Sequence, residues 1–215
     1  MTSRRANVLS LVFIGIVVAM AAFLYAGLPD PMPSHWNTQG QVDGYLPRFW
    51  GVSLLPLIAI GVMLVMRIIP LISPKGFRSG PFAGVLNIFQ VMMVGFTSAV
   101  GVLVLLEAKG LGVPLNEVIF IALGLLFIAT GRFFGKLRKN LYLGIRTPWT
   151  LASDEVWNRT HRLGGRLFVL MGVVMMLGAW FPGLAGWTVG FVVVIAVVPV
   201  VYSYFIFRRI RAFGQ

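Results

Sequence analysis

Residues 8–28 read VLSLVFIGIVVAMAAFLYAGL and carry no charged side chain. An apolar run of about 20 residues is long enough to cross the ~30 Å hydrocarbon core of a bilayer as a helix. Arg4 and Arg5 precede the run, as basic residues do in a signal peptide. The run is too long for a usual signal peptide, however, and the following Leu-Pro-Asp-Pro is not a small-x-small cleavage site. We therefore expect a retained first transmembrane helix.

Five further apolar runs follow, and none alternates apolar with polar residues as a membrane β-barrel strand does. Charged residues make up 11% of the chain, whereas a soluble domain carries about 25%. The sequence predicts an all-α polytopic membrane protein, a bundle of about six transmembrane helices in a single domain, residues 1–215. Glycine pairs four residues apart, which favour close helix packing, occur at Gly80/Gly84, Gly131/Gly135 and Gly186/Gly190. The predicted spans are 8–28, 50–72, 81–106, 115–135, 163–181 and 187–207.

The distribution of basic residues predicts the orientation. If both termini are cytoplasmic, every Lys and Arg except Arg48 and Lys109 lies on the cytoplasmic side. This is the bias that the positive-inside rule describes. The formal net charge of +12 is therefore attributed to basic residues that set the orientation in the membrane and contact anionic lipids. We expect no direct binding of nucleic acid.

The residue inventory argues against catalysis, a metal site and a cofactor. The chain has no cysteine, and the predicted topology puts His35 and His161 on opposite sides of the membrane. The acids lie in or beside loops, whereas proton-relay transporters usually carry acids within helices. We expect the polar residues within the spans to form hydrogen bonds between helices: Asn87, Gln90, Thr97, Ser98 and Thr130.

One polar segment, residues 28–45, reads LPDPMPSHWNTQGQVDGY and is predicted to lie outside the cell. Its three alternating prolines predict an extended, polyproline-like path, and residues 37–40 and 43–44 have turn chemistry. The segment is either a rigid loop anchored at the membrane interface or a docking surface for an extracytoplasmic ligand. The candidate ligand-binding residues are His35, Trp36, Asn37, Gly40, Asp43, Gly44 and Tyr45.

A second polar segment, residues 140–166, reads NLYLGIRTPWTLASDEVWNRTHRLGGR and is predicted to be cytoplasmic. Thr147-Pro148 and Ser153 are suitable helix starts. We expect a short interfacial helix over residues 154–163, with the chain re-entering the membrane at residues 164–165. The alternative is a platform that recognises a soluble protein. The candidate partner-binding residues are Arg146, Thr147, Pro148, Trp149, Thr150, Ser153, Glu155, Trp157, Thr160, His161, Arg162, Gly164 and Gly165.

These two segments resemble the SdpI family, the membrane immunity proteins of prokaryotes against a sporulation-delay peptide toxin. The resemblance rests on LPDPMPSHWNTQGQVDGY and GIRTPWTLASDEVWNRTHRLGGRLF, in that order and topology. The chain departs from the family at Lys139, where proline often precedes Asn140, and at Pro47-Arg48, where a lysine is common. The family implies protection against a secreted toxin peptide. It also implies signalling through sequestration of a cytoplasmic, ArsR-like autorepressor.

Two other functions are compatible with the residues. Asn87, Gln90 and a kink at Pro199 would suit a small transporter or flippase, alone or as an oligomer. His35 and Asp43 would be the candidates for a membrane peptidase that acts on the toxin.

Overall fold

A computed structural model describes residues 1–37, 40–72 and 80–213 of the chain. Its long helices are α1 (Ser3–Leu24), α2 (Arg48–Ile72), α3 (Gly80–Ala108), α4 (Leu115–Phe134), α6 (Asp154–Gly178) and α8 (Trp187–Phe213). Two short helices, α5 (Pro148–Ala152) and α7 (Pro182–Ala185), precede α6 and α8. Two strands, β1 (Met32–Trp36) and β2 (Val42–Leu46), lie between α1 and α2.

The six long helices of the described chain are each long and apolar enough to cross a membrane. In the apolar 18-residue stretch of each span, at most 33% of the residues are buried within the protein. Large side chains such as that of Phe23, which is 87% exposed, would therefore contact lipid. The prediction of an all-α, multi-pass membrane protein with about six spans is confirmed.

The first and last helices extend beyond the predicted apolar runs at their polar ends. The first helix begins at Ser3 rather than Val8, since the Thr2 hydroxyl accepts a hydrogen bond from the Arg5 amide at 3.4 Å. The last helix continues past Pro199 and ends at Phe213 with Arg211 in its final turn, where a cation complements the helix dipole.

The fifth span differs from the prediction. Helix α6 does begin at Asp154, where the Ser153 hydroxyl accepts from the Val156 amide at 3.4 Å. The short helix expected over residues 154–163 is not a separate helix, because α6 runs through Gly164 and Gly165 to Gly178. Both are buried, and the helix continues there because they lie where α6 packs against neighbouring elements. The short helix of this loop is instead α5.

The chain forms two compact units. The first, called the amino-terminal unit here, comprises residues 1–71 and 86–119; the second, the carboxyl-terminal unit, comprises the described residues of 72–85 and 120–215. The main core of the amino-terminal unit contains residues from α1, the hairpin, α2 and α3, namely Val17, Ala21, Leu28, Met32, Val52, Val104 and Leu105. The single transmembrane domain over residues 1–215 stays a prediction.

Candidate functional site

The outer segment folds as a β-hairpin and not as an isolated polyproline path. Strands β1 and β2 pair antiparallel, with Met32 opposite Leu46 and Trp36 opposite Val42, and the register shifts on either side of His35. In strands, successive side chains point to opposite faces. Met32 is buried, whereas His35, Asp43 and Tyr45 are exposed. The hairpin thus has an inner apolar face and an outer polar face.

Two contacts fix the hairpin on the helices of the amino-terminal unit, one made by Met32 and one by Asp30. The Met32 side chain is fully buried in the core of this unit. It lies so close to α2 that a Cβ atom at Gly51 would be 2.8 Å from its sulfur. The Asp30 carboxylate accepts a hydrogen bond from the Arg48 amide at 3.1 Å, at the first residue of α2. The hairpin is therefore held by both burial and capping.

The turn between the strands uses the predicted polar residues. The Asn37 Oδ1 atom accepts from the Gln41 amide at 2.9 Å, and the Gly40 amide donates to the Asn37 carbonyl at 3.0 Å. Gly40 has a φ of +79°, which glycine adopts without steric cost. Asn116 of α4 donates to the Asn37 carbonyl at 3.4 Å, so the turn is also tied to a transmembrane helix. Residues 38 and 39 of the predicted turn lie outside the described residues.

The outer face carries a pair of side chains in direct contact. His35 Nδ1 lies 2.5 Å from Asp43 Oδ1, and the two side chains are 72% and 44% exposed. Gly44 permits this arrangement, since a Cβ atom there would be 2.9 Å from the His35 Cβ. The exposed pair, with Tyr45 beside it in the sequence, offers hydrogen-bonding groups to a ligand. Among the described residues, no group of three or more His, Cys, Asp or Glu could hold a metal ion.

A cavity of about 320 Å³ lies beneath the hairpin, within the amino-terminal unit. Ligand pockets typically begin at about this volume. The hairpin contributes Ser34, His35 and Trp36, while α4 contributes Asn116 and Ile119. Apolar side chains of α2 and α3 complete the walls, among them Leu54, Leu55, Val100 and Val104. The cavity is thus apolar with a few polar groups at the hairpin, a composition that suits an apolar side chain of a ligand.

The inner segment begins with a buried asparagine that the sequence did not single out as a site residue. The Asn140 side chain donates to the carbonyls of Arg138 and Leu143, both at 2.9 Å. Its Oδ1 atom accepts from the amides of Tyr142 and Leu143 at 2.8 and 2.7 Å. A single side chain therefore satisfies the backbone groups of the turn that leads into the segment.

His161 joins this turn to α6. The Ile145 amide donates to His161 Nε2 at 3.0 Å, so Nε2 is an acceptor. The ring proton must then lie on Nδ1, which donates to the Trp157 carbonyl at 2.8 Å. The His161 ring stacks on that of Trp157 with centroids 4.0 Å apart, and Trp157 Nε1 donates to the Leu137 carbonyl at 2.7 Å. Both side chains are almost fully buried, which identifies them as the centre of the inner segment.

Two threonines form the start of α5. The Thr147 hydroxyl accepts from the Thr150 amide at 3.1 Å, and the Thr150 hydroxyl accepts from the Thr147 amide at 2.9 Å. This reciprocal arrangement is a capping box. The Thr147 hydroxyl also lies 3.1 Å from that of Ser203 in α8. The predicted helix start at Thr147-Pro148 is confirmed, and it serves to dock α5 on α8.

The predicted partner-binding residues divide by exposure into three groups: partly exposed, exposed and buried. Trp149 and Ser153 are partly exposed, and the Trp149 ring packs edge-on against Tyr204 with centroids 5.1 Å apart. The exposed residues are Arg146, Pro148, Glu155 and Arg162. The buried residues are Thr147, Thr150, Trp157, Thr160, His161, Gly164 and Gly165. The buried group builds the segment, and the exposed group is available for contact with a partner.

Substituting Gly144 with alanine is expected to destabilise the inner segment. Gly144 has a φ of +115°, and a Cβ atom there would collide with His161 Nε2. Gly110→Ala is a matched control, because Gly110 has a φ of +83° but open space around it. We expect a loss of about 1 kcal/mol from backbone strain at Gly110 and at least about twice that at Gly144. Unfolding of both variants in detergent, followed by Trp fluorescence, measures the difference; equal losses would contradict the collision.

The polar side chains within α3 have partners in α1. The Asn87 amide donates to the Ser3 hydroxyl at 3.2 Å and the Met1 carbonyl at 3.1 Å. The Gln90 amide donates to the Ser10 hydroxyl at 3.1 Å and to Asn7 at 3.2 Å. The predicted hydrogen bonds between helices are thus confirmed at these two positions.

Comparison with known proteins covers both segments. Residues 136–203 match the model of the SdpI/YfhL protein family, and residues 12–60 match a domain of unknown function, DUF1648. The first match contains the whole inner segment and the second contains the hairpin. The chain is 21% identical over 179 residues to the Immunity protein SdpI of Bacillus subtilis (strain 168), which covers 83% of this chain and 84% of that protein. The resemblance to the SdpI family is confirmed.

No solved structure matches the chain. The six apolar spans and the similarity to SdpI together identify a multi-pass protein of the cell membrane. Two residues with evident roles, Asn116 below the hairpin and Ser203 below α5, are absent from the sequence-based predictions. Ser203 is a small polar residue deep in an apolar helix, and that isolation is the signal that could have identified it. Asn116 lies at the start of α4 beside Glu117 and carries no such signal.

Proposed function

We propose that this chain is an immunity protein that binds a secreted, membrane-active toxin peptide on the outer side of the membrane and so protects its own cell. The similarity to an immunity protein supports the general activity. The observation that carries the proposed site is the cavity beneath the hairpin, because two of the predicted ligand-binding residues, His35 and Trp36, line it.

The hairpin and its cavity suit an amphipathic peptide. An apolar side chain of the peptide would enter the cavity between the hairpin and α2, α3 and α4. Its polar backbone and side chains would meet the exposed His35–Asp43 pair and Tyr45. Binding at this place would hold the peptide away from the lipid in which it acts. The proposed activity is binding without catalysis, metal or cofactor.

The proposed orientation places the hairpin outside and the inner segment in the cytoplasm. Arg48 and Lys109 are the only cations on the proposed outer side, and both have local structural contacts. The Arg48 guanidinium lies over the Tyr25 ring, 5.6 Å from its centroid. Lys109 Nζ donates to the Gly27 carbonyl at 3.2 Å. Their presence outside therefore has a structural reason, which supports the orientation that the positive-inside rule predicts.

The inner segment would act as the signalling surface. We propose that the toxin-bound protein holds a cytoplasmic, ArsR-like autorepressor and thereby releases repression of the genes for immunity. The contact surface would consist of the exposed residues of the segment, Arg146, Pro148, Glu155 and Arg162, beside the partly exposed Trp149. The Glu155 carboxylate accepts a hydrogen bond from Arg159 at 2.6 Å, and both side chains are exposed on α6.

Filling the cavity is expected to abolish protection. Ile119→Trp places a large ring in the cavity, whereas Leu125→Trp makes a similar change on the same helix at a side chain that is 54% exposed. Sensitive cells that express each variant would receive the purified sporulation-delay toxin peptide, and a potential-sensitive dye would report depolarisation. We expect protection by the parent and Leu125→Trp, and depolarisation close to that of unprotected cells with Ile119→Trp.

Immunoblots of the membrane fraction establish that all three proteins are inserted at similar levels. Full depolarisation of cells that carry the inserted parent chain would contradict immunity toward this peptide. Protection by the parent and equally by Ile119→Trp would contradict the cavity as the binding site but leave immunity standing.

A further inference from the structure

A groove with four cations lies between α4 and α6 in the carboxyl-terminal unit. Arg132 lies in the last turn of α4 and Lys136 lies two residues past the end of this helix, while Arg162 and Arg166 are four residues apart on α6. At that spacing Arg162 and Arg166 share one face of α6. All four side chains are exposed, and they border a single groove of about 520 Å³.

Glycine packing brings the two cation pairs together. A Cβ atom at Gly131 would lie 2.5 Å from the Gly165 carbonyl oxygen, and one at Gly165 would lie 2.6 Å from the Gly131 carbonyl oxygen. The backbones of α4 and α6 are therefore in direct contact at the groove. The stem of Arg162 lies over Gly135, whose Cβ position is 3.5 Å from the Arg162 Cγ. Like charges that border one groove repel each other, and an anion between them would offset that repulsion.

The carboxylates of the protein do not supply that anion. Asp154 pairs with Lys139 at 2.7 Å, and Glu155 pairs with Arg159 at 2.6 Å. Among the described residues, which include all six acids of the chain, no salt bridge reaches any of the four groove cations. Lys136 lies over the Phe133 ring, a contact that leaves its charge in place. The groove thus retains a high positive potential.

The floor of the groove is apolar. It contains Val169, Leu170 and Val173, and the last two are 48% and 42% exposed. Counted at 1.5 Å per residue, the α4 helix from Leu115 to Arg132 is about 26 Å long, close to the thickness of a hydrocarbon core. The cations therefore lie at the level of the lipid headgroups, and the apolar floor lies below them. Cations above an exposed apolar surface match a phospholipid better than a water-soluble phosphate.

We propose that this groove is a binding site for an anionic phospholipid. The lipid phosphate would lie among Arg132, Lys136, Arg162 and Arg166, and an acyl chain would cover Leu170 and Val173. A bound lipid would screen the repulsion among the four cations and so stabilise the contact between α4 and α6. This site does not depend on the proposed immunity function, and it shares Arg162 with the surface proposed to contact the repressor.

Native mass spectrometry of the purified full chain tests the site. The protein in neutral detergent would be titrated with phosphatidylglycerol or with phosphatidylcholine. We expect tighter retention of phosphatidylglycerol by the parent chain. The double substitution Arg132→Gln/Arg166→Gln is expected to weaken that retention about 30-fold, because each cation near an anionic lipid contributes a factor of about five. Arg4→Gln/Arg5→Gln removes the same charge at exposed positions of α1 and is expected to change retention little.

A charge-preserving variant and a competition with inorganic phosphate complete the test. Arg132→Lys/Arg166→Lys preserves the charges and is expected to retain phosphatidylglycerol, even if the glutamine variant fails to fold. Inorganic phosphate should not compete, because it cannot cover the apolar floor. Equal retention of both lipids by the parent, an equal loss in both glutamine variants, or displacement of phosphatidylglycerol by inorganic phosphate would each overturn the site.

Discussion

Replacing Gly165 with valine is expected to lower the stability of the carboxyl-terminal unit by about 3 kcal/mol or more. A Cβ atom at this position would lie 2.6 Å from the Gly131 carbonyl oxygen. That oxygen belongs to the backbone of α4, so no side-chain rotation relieves the collision and the two helices must separate. Because proteins are stable by only about 5–15 kcal/mol, such a loss is a large part of the total.

Gly190→Val is the matched control for this prediction. Gly190 lies in α8, is exposed, and has no atom within 4 Å of its Cβ position. The substitution is therefore expected to change stability little. Both variants and the parent would be heated in detergent, and the fraction that stays monodisperse would be measured by size-exclusion chromatography. A midpoint for Gly165→Val equal to that for Gly190→Val would contradict a tight contact between α4 and α6.

The contact between α4 and α6 shows what glycine spacing alone could and could not predict. Among the five members of the predicted pairs whose surroundings the structure describes, Gly80 being the sixth, only Gly131 meets another backbone closely. No atom lies within 4 Å of the Cβ positions of Gly84 and Gly190. The close contacts join Gly124 and Gly131 to Gly172 and Gly165, at spacings of seven within each helix. Spacing identifies residues on one face of a helix, but which face is buried depends on the partner helix.

The hairpin was missed because its partner strands are only weakly marked in the sequence. Proline lacks an amide hydrogen and is depleted in strands, so the prolines around β1 favoured an isolated extended path. Strand β2 contains Gly44, and the register shifts beside His35. The burial of Met32 in the core of its unit helps to hold the pairing, and this is a tertiary contact that no local pattern reveals.

The inner segment was predictable where its contacts are local. Each local contact joins residues at most four positions apart in the sequence. These contacts are the helix starts at Thr147 and Ser153 and the Glu155–Arg159 pair. By contrast, His161 accepts from an amide 16 residues away, and Thr147 meets Ser203 at a separation of 56 residues. These long-range bonds explain why residues of the segment that looked available for a partner are buried.

If the inner segment signals as proposed, substitutions at Arg146 and Trp157 are expected to separate the loss of signalling from the loss of folding. Arg146→Ala removes the hydrogen bond from the guanidinium to the Leu141 carbonyl. Because Arg146 is exposed, the substitution should still leave the folded protein intact. We expect normal membrane levels but at least a tenfold loss of toxin-dependent induction from a promoter under the autorepressor. Arg138→Ala, which removes an exposed cation outside the predicted partner surface, is the control and should keep induction.

Trp157→Ala is expected to fail for a different reason. It removes a ring that is 1% exposed, its stacking on His161 and its hydrogen bond to Leu137. Truncating a buried Trp costs about 3–5 kcal/mol, so the membrane level of the protein should fall, and both induction and protection should fall with it. Immunoblots and the promoter reporter, measured in the same cells, distinguish a variant that loses only signalling from one that loses the folded protein. Full induction by Arg146→Ala would contradict the exposed partner surface. Normal levels of Trp157→Ala with induction lost would instead make the Trp157 ring itself part of the signalling contact.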